Sequence, residues 1–239
     1  MLAAKAALRE EVWTGLGEAG VSRFPGPRGR IPNFVGAEAA PRRLAATQEW
    51  EGAATVKANP DSPQWPVRQR ALEDGKTVYM AVPRLAQERP FFLLDPARLA
   101  DSFRAASSIK GASRSALTVD LDQLEPVDLV VAGSVAVGED GARLGKGGGF
   151  SDLEFALASA AGLIGPDTTV VTTVHERQVL PAGVIPTTAH DTGVNIIVTP
   201  ERVIRAPRPG NRPPPTIRWE ELTEEKIVAI PLLARLRGR

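Results

Sequence analysis

The stretch from Val127 to Gly162 constrains this chain more than any other. Eleven mostly aliphatic residues, VDLVVAGSVAV, lead towards a loop in which four of the five positions from Gly145 to Gly149 are glycine, and an alanine-rich helix is predicted after it over residues 152–164. A continuous apolar run of this kind suits a strand buried on both faces of a sheet. Helices on both faces, in turn, imply parallel strands joined by crossovers. The rest of the chain repeats the pattern. AATVKAN, KTVYMAVP, FFLL, TTVVTTV and VNIIVTP read as short strands, and helices are predicted over residues 3–19, 41–50 and 67–74 and from Pro96 to about Ser107. The expected fold class is α/β: a three-layer α/β/α domain with a mainly parallel sheet over residues 1–205. A Pro/Arg-rich tail, residues 206–239, is expected to dock on it through Trp219, Ile227, Ile230 and Leu233.

Composition narrows the chemistry. With 29 basic against 28 acidic side chains, the chain lacks the basic excess of a protein whose main task is coating nucleic acid. It has no cysteine, which removes disulfides, thiolate-held metals and cysteine nucleophiles. Its two histidines, His175 and His190, cannot form a multi-histidine metal site, so any metal is expected on oxygen ligands. Lys5, Arg9, Glu10 and Glu11 leave the first helix without a continuous apolar run of signal-peptide type, and no run approaches the roughly 20 apolar residues of a membrane span. A cytoplasmic protein without membrane contact is the expectation.

The glycine loop carries the strongest chemical signal. Glycines let backbone N–H groups approach an anion, and the helix that follows offers its positive end. Arg143 and Lys146 add full charges, so the segment reads as a phosphate cradle. It is not a P-loop, which would need glycine at Asp140 and a hydroxyl residue at Gly147, nor a dinucleotide fingerprint, which Phe150 breaks. Asp152, in the first turn of the helix, suits Mg²⁺ arriving with a nucleotide, because that ion takes only one or two protein carboxylates. Helix capping by Ser151 or Asp152 explains the same residues equally well.

The run from Arg143 to Asp152, R-L-G-K-G-G-G-F-S-D, resembles the R-x-G-x-G-x-G-Y-Y-D loop of the 5-formyltetrahydrofolate cyclo-ligase (methenyltetrahydrofolate synthetase) family. Val184-Ile185-Pro186, His190-Asp191 and the strand from Val194 to Thr199 resemble that family's ending, in the expected order. Arg9 to Trp13, Phe24-Pro25, Arg30 to Phe34 and Gly133 to Val137 are similar to its methenyltetrahydrofolate synthetase domain-containing branch. The resemblance implies a cyclo-ligase-like α/β fold and the conversion of 5-formyltetrahydrofolate to 5,10-methenyltetrahydrofolate with ATP and Mg²⁺. Carried over residue by residue, Lys5 and Arg9 reach the nucleotide phosphates, Gly145, Lys146, Gly147, Gly148 and Gly149 cradle them, and Arg143 and Lys146 neutralise charge at the reacting centre. Phe150 lends an aromatic face, Asp191 orients the nucleotide end together with His190, and Asp152 holds Mg²⁺. The chain departs from the pattern at Phe150-Ser151, where the family has two tyrosines, and at Asn195, where it has aspartate.

A second class of function fits the same fold: a nucleotide- or RNA-binding protein without catalysis. Arg23, Arg28, Arg30, Arg42 and Arg43, with Arg205, Arg208, Arg212 and Arg218 near the tail, motivate it. A monomer or homodimer is expected in either case.

Overall fold

The computed structural model describes residues 1–188, 191–207 and 216–238. Its elements, in chain order, are α1 (Leu2–Glu18), α2 (Ala40–Ala45), α3 (Gln48–Glu51), β1 (Thr55–Ala58), α4 (Trp65–Glu73), β2 (Thr77–Ala81), β3 (Phe91–Leu94), α5 (Phe103–Ala106), α6 (Ile109–Ser115), β4 (Leu117–Val119), β5 (Leu129–Ala132), β6 (Ala136–Gly138), β7 (Arg143–Leu144), α7 (Phe150–Ala160), β8 (Thr169–Thr173), β9 (Val179–Leu180), β10 (Ile196–Val198), β11 (Val203–Arg205), α8 (Glu224–Ala229) and α9 (Pro231–Arg237).

Side chains alternate along the central strands and sort the core into two layers. On one face Val56 and Ala58 of β1, Leu129 and Val131 of β5 and Ile196 and Val198 of β10 pack with Leu44, Trp50, Val67 and Leu72 from α2, α3 and α4. On the other face Val130, Ala132, Val170 and Ile197 pack with Leu153, Phe155 and Leu157 of α7 and with Ile227, Ile230, Leu232 and Leu233 of the last two helices. Burying a leucine such as Leu157 stabilises the fold by about 2 kcal/mol. Helix, sheet and helix thus form three layers. α1 stands apart from both clusters and lays Val12, Trp13 and Leu16 on a small sheet through Val135, Ala136 and Leu144.

The main sheet has the order β11-β10-β8-β5-β1-β2-β3-β4, and the small one β7-β6-β9. β1 pairs parallel with β2 on one side and β5 on the other, Val56 facing both Val78 and Leu129. The chain steps from β1 through α4 to β2 in one direction. It steps from β5 through α7 to β8 and β10 in the other. The gap beyond the carboxyl ends of β1 and β5 is therefore a topological switch point, the place where open α/β sheets bind ligands.

Three local expectations need correction. The VDLVVAGSVAV run is not one strand: β5 stops at Ala132, Gly133 and Ser134 lie outside any strand, the chain bends at Val135, and β6 belongs to the small sheet. The helix expected from Pro96 forms only over α5. The side chain of Asp95 accepts from Ala97 N at 2.9 Å and closes a turn, and Ser102 accepts from Ala105 N to start a separate helix. The expected 41–50 helix is two, because Thr47 ends one by donating to Leu44 O and caps the next by accepting from Trp50 N. The sheet is mainly parallel, as expected; β3 pairs antiparallel with β2 and with β4, and β11 with β10, and the links before β3 and β11 hold no crossover helix.

One turn between β6 and β7 fixes the approach to β10. Gly141 sits at φ +84°, and its carbonyl accepts from Val194 N at 2.9 Å. A Cβ there would lie 2.4 Å from Val194 O. Among the described residues no helix is long and apolar enough to cross a membrane.

Candidate functional site

The crevice at the switch point is built first from β1. Lys57 points to the α7 face of the central strand, and Asn59 follows the strand's end. Both donate to the same oxygen of Glu154 on α7, Lys57 Nζ at 2.6 Å and Asn59 Nδ2 at 2.8 Å to Oε2. The two charged side chains are almost inaccessible, 3% and 6% exposed. Burial raises the Glu154 pKa while Lys57 pulls it down, with the net direction upward. Asn59 Oδ1 accepts from Gly133 N at 2.9 Å and from Ser151 Oγ at 3.3 Å. One asparagine therefore ties together the ends of β1 and β5 and the first turn of α7. Beneath it, the fully buried Arg68 donates to the carbonyls of Asn59, Asp61 and Ser107, and burial lowers its pKa to about 9.

The glycine loop closes over this floor. Arg143 enters from β7 with its side chain 2% exposed and donates to Thr192 O at 3.2 Å, Gly133 O at 3.1 Å and Asp152 Oδ1 at 2.6 Å. Lys146 reaches Asp61 Oδ1 at 3.0 Å and stays 43% exposed. Gly149 adopts φ +66°, a left-handed conformation natural to glycine, and turns the chain into α7. α1 supplies two more cations. Lys5 is paired with Asp191 at 2.6 Å, and Arg9 Nε donates to Gly145 O at 2.6 Å. Burial lowers the Arg9 pKa, with Asp191 acting in the opposite direction. For Asp191 burial alone would raise the pKa, but hydrogen bonds from Lys5 and Thr188 N overcome it and the net direction is downward.

Lys5, Arg9, Arg143, Lys146, the glycines, Phe150, Asp152 and Asp191, all flagged in the sequence, are thus linked in one constellation, while His190 lies outside the described residues. Arg143 spends its guanidinium on protein acceptors, and Asp152 keeps 41% of its side chain exposed while holding Arg143. Asn195 stands apart from this group at the start of β10, where its Oδ1 accepts from Val170 N at 2.8 Å. His175 caps the turn after β8, its Nδ1 accepting from Arg177 N at 3.2 Å, and burial lowers its pKa. Among the described residues no group of three acidic or histidine side chains is poised to hold a metal by itself.

Sequence reasoning missed Lys57, Asn59, Asp61 and Lys226. A charge in the middle of the short strand AATVKAN was the available signal for the first, since an inward charge needs a buried partner. The arginines that motivated a nucleic-acid role are largely engaged. Arg23 pairs with Glu38, Arg28 with Glu10 at 3.2 Å, Arg205 with Glu49 and Arg218 with Glu221, and Arg43 donates to Pro200 O at 2.8 Å. Arg208 and Arg212 lie outside the described residues.

Comparison with known proteins agrees with the geometry. The chain is 39% identical over 98% of its length to the methenyltetrahydrofolate synthase domain-containing protein of Mus musculus, and 36% identical over 97% to that of Homo sapiens. It spans 63% and 61% of those relatives' lengths, about three fifths of each. The solution structure of Aquifex aeolicus 5,10-methenyltetrahydrofolate synthetase shares the fold, with a TM-score of 0.52 over 92% of this chain and 98% of that one at 20% identity. The model of the 5-formyltetrahydrofolate cyclo-ligase family matches residues 1–200, and the chain belongs to that family.

Proposed function

We propose that the chain converts 5-formyltetrahydrofolate, or a related formylated compound, to the cyclised 5,10-methenyl product in an ATP- and Mg²⁺-dependent reaction that releases ADP and phosphate. The observation that carries this reading is the convergence of a glycine loop, a helix N-terminus and unevenly balanced cations at the switch point of the sheet. Near the loop, Lys5, Arg9, Lys57, Arg143, Lys146 and Lys226 face Asp61, Asp152, Glu154 and Asp191, so six cations meet four carboxylates. An anionic ligand would offset the excess, and the positive end of α7 acts in the same direction.

The donor set fits a nucleotide with its metal. Lys146 and Arg9 would hold the phosphates with the loop amides, and the exposed part of Asp152 would hold Mg²⁺, which needs few protein ligands. Bound there, the nucleotide would supply the phosphoryl group that makes the formyl oxygen a leaving group, so that the folate's own N10 closes the ring, loses its proton and expels phosphate. The chain needs no nucleophile for this. Its task is positioning and charge stabilisation. Arg143 serves by fixing the strand end, the 192 carbonyl and the Asp152 carboxylate in one frame. Phe150 offers one aromatic face, and Ser151 directs its hydroxyl to Asn59.

Incubation with ATP, Mg²⁺ and 5-formyltetrahydrofolate tests the proposal. Methenyl absorbance accompanied by equimolar ADP is expected. Absence of both, with salt-sensitive RNA binding instead, would sink it.

A further inference from the structure

The family match stops at residue 200, yet one of the cations at the glycine loop comes from beyond it. Lys226 of α8 donates through Nζ to Gly148 O at 3.0 Å and lies 4.9 Å from the centroid of the Phe150 ring. The same nitrogen is 3.2 Å from where a Cβ on Gly149 would stand, at the turn that opens α7.

This placement is held by packing. Thr223 caps α8 by accepting from Lys226 N at 3.2 Å. Ile227, Ile230, Leu232 and Leu233 are buried in the cluster that contains Leu153 and Leu157 of α7. Arg235 meets Asp120 at 2.6 Å and fastens α9 to the turn after β4.

The electrostatics of the placement is unfavourable without a ligand. An ammonium at the first turn of a helix opposes the helix dipole. Burial lowers the Lys226 pKa, and Asp152, the carboxylate that counters this, is already hydrogen-bonded to Arg143. The Gly148 carbonyl accepts a hydrogen bond but cancels no charge. Phosphate oxygens beside the loop amides would supply the missing countercharge and a stronger, charge-assisted acceptor.

We propose that Lys226 is a phosphate-contacting residue of the glycine-loop site, so that the segment bearing α8 adds a cation to the anion site formed by residues 1–200. The inference rests on the anion-binding part of the function proposed above and not on the identity of the folate substrate.

The test is equilibrium binding of two probes, Mg-ATP and inorganic tripolyphosphate, to the full chain and to Lys226→Met and Lys226→Arg. Lys226→Met should weaken both probes about tenfold, the loss of one charge-assisted hydrogen bond, while Lys226→Arg stays within about twofold of the parent. Unfolding midpoints report on docking of α8. Should methionine lower the midpoint, Lys226→Gln carries the same tenfold expectation. Unchanged affinity in Lys226→Met or Lys226→Gln, or an equal loss in Lys226→Arg, overturns the role of Lys226 and leaves the cyclo-ligase reading standing. Tripolyphosphate binding that falls in Lys226→Met, in a protein that turns over no formylfolate, keeps Lys226 in an anion site and overturns the cyclo-ligase reading. Failure of the parent to bind either probe overturns both.

Discussion

At the crevice beyond β1 and β5 the cations other than Lys146 are buried or half-buried, and Arg9 and Lys226 donate to backbone carbonyls of the loop, whereas Arg42, Arg43 and Arg205 line a groove with Glu49 as exposed side chains, Arg205 meeting Glu49 and Arg43 a backbone carbonyl. Both places look basic in the sequence. They differ in what surrounds the charge. Burial at the crevice makes the charges of Lys5, Lys57, Arg143 and Glu154 costly unless matched, and the excess of cations beside them leaves a place for an anion. At the edge, water screens the pairs, and each contributes little to stability or recognition.

The most severe way to break this contrast is at the crevice floor. Glu154→Leu strands the Lys57 ammonium in the core and should destabilise the fold by about 3–5 kcal/mol in urea unfolding, while Lys57→Met/Glu154→Leu together should recover most of that loss. A cost under about 1 kcal/mol for the single change would mean that the crevice is no drier than the surface. Next in size is Asp152→Ala. Magnesium-dependent ATP affinity should fall at least about tenfold, with a smaller loss for ATP without metal, because Arg143 also loses its carboxylate. Equal affinity with and without metal in the variant and the parent would remove Asp152 from the metal site.

A subtler effect is expected from acid. Asp191 has its pKa lowered by Lys5 and Thr188 against the opposing effect of burial, so the stability it contributes is present above the unfolded carboxylate value, about 3.9, and fades as pH falls through the lower folded value. Asp191→Asn should flatten the acid limb of the stability profile, and an unaltered limb would show that the pair with Lys5 is not felt. The smallest effect belongs to the edge groove. Arg205→Ala should change stability by no more than about 0.5 kcal/mol and leave nucleotide affinity untouched, although its pair with Glu49 raises the arginine pKa. A large loss there would erase the distinction between the two regions.

The architecture was legible in the sequence wherever a single period dominated. The apolar runs in VNIIVTP and TTVVTTV identify strands that the sheet contains, and the glycine loop is followed by a helix as expected, although that helix runs over Phe150–Ala160 and not 152–164. The errors fall where short-range side-chain chemistry overrides a pattern. Asp95 and Ser102 cut the helix expected after Pro96, and Gly133-Ser134 divides an apolar run between two sheets. The site was legible as a list of residues and not as a circuit. Asp61 and Lys146 are 85 residues apart, and Lys226 and Gly148 are 78 apart. Nothing in EELTEEKIVAI separates Lys226 from an ordinary solvated helix lysine. Only the burial of the neighbouring Ile227 and Ile230 fixes where that ammonium points.

Gly141 carries a consequence out of proportion to its chemistry. Any side chain at this turn would push against Val194, and the strand of loop just upstream bears the Thr192 carbonyl and the Asp191 carboxylate that steady Arg143 and Lys5. An inherited change here would press on Val194, at the margin of the layer packed on α7, and would present in an assay as damage to the reaction centre itself.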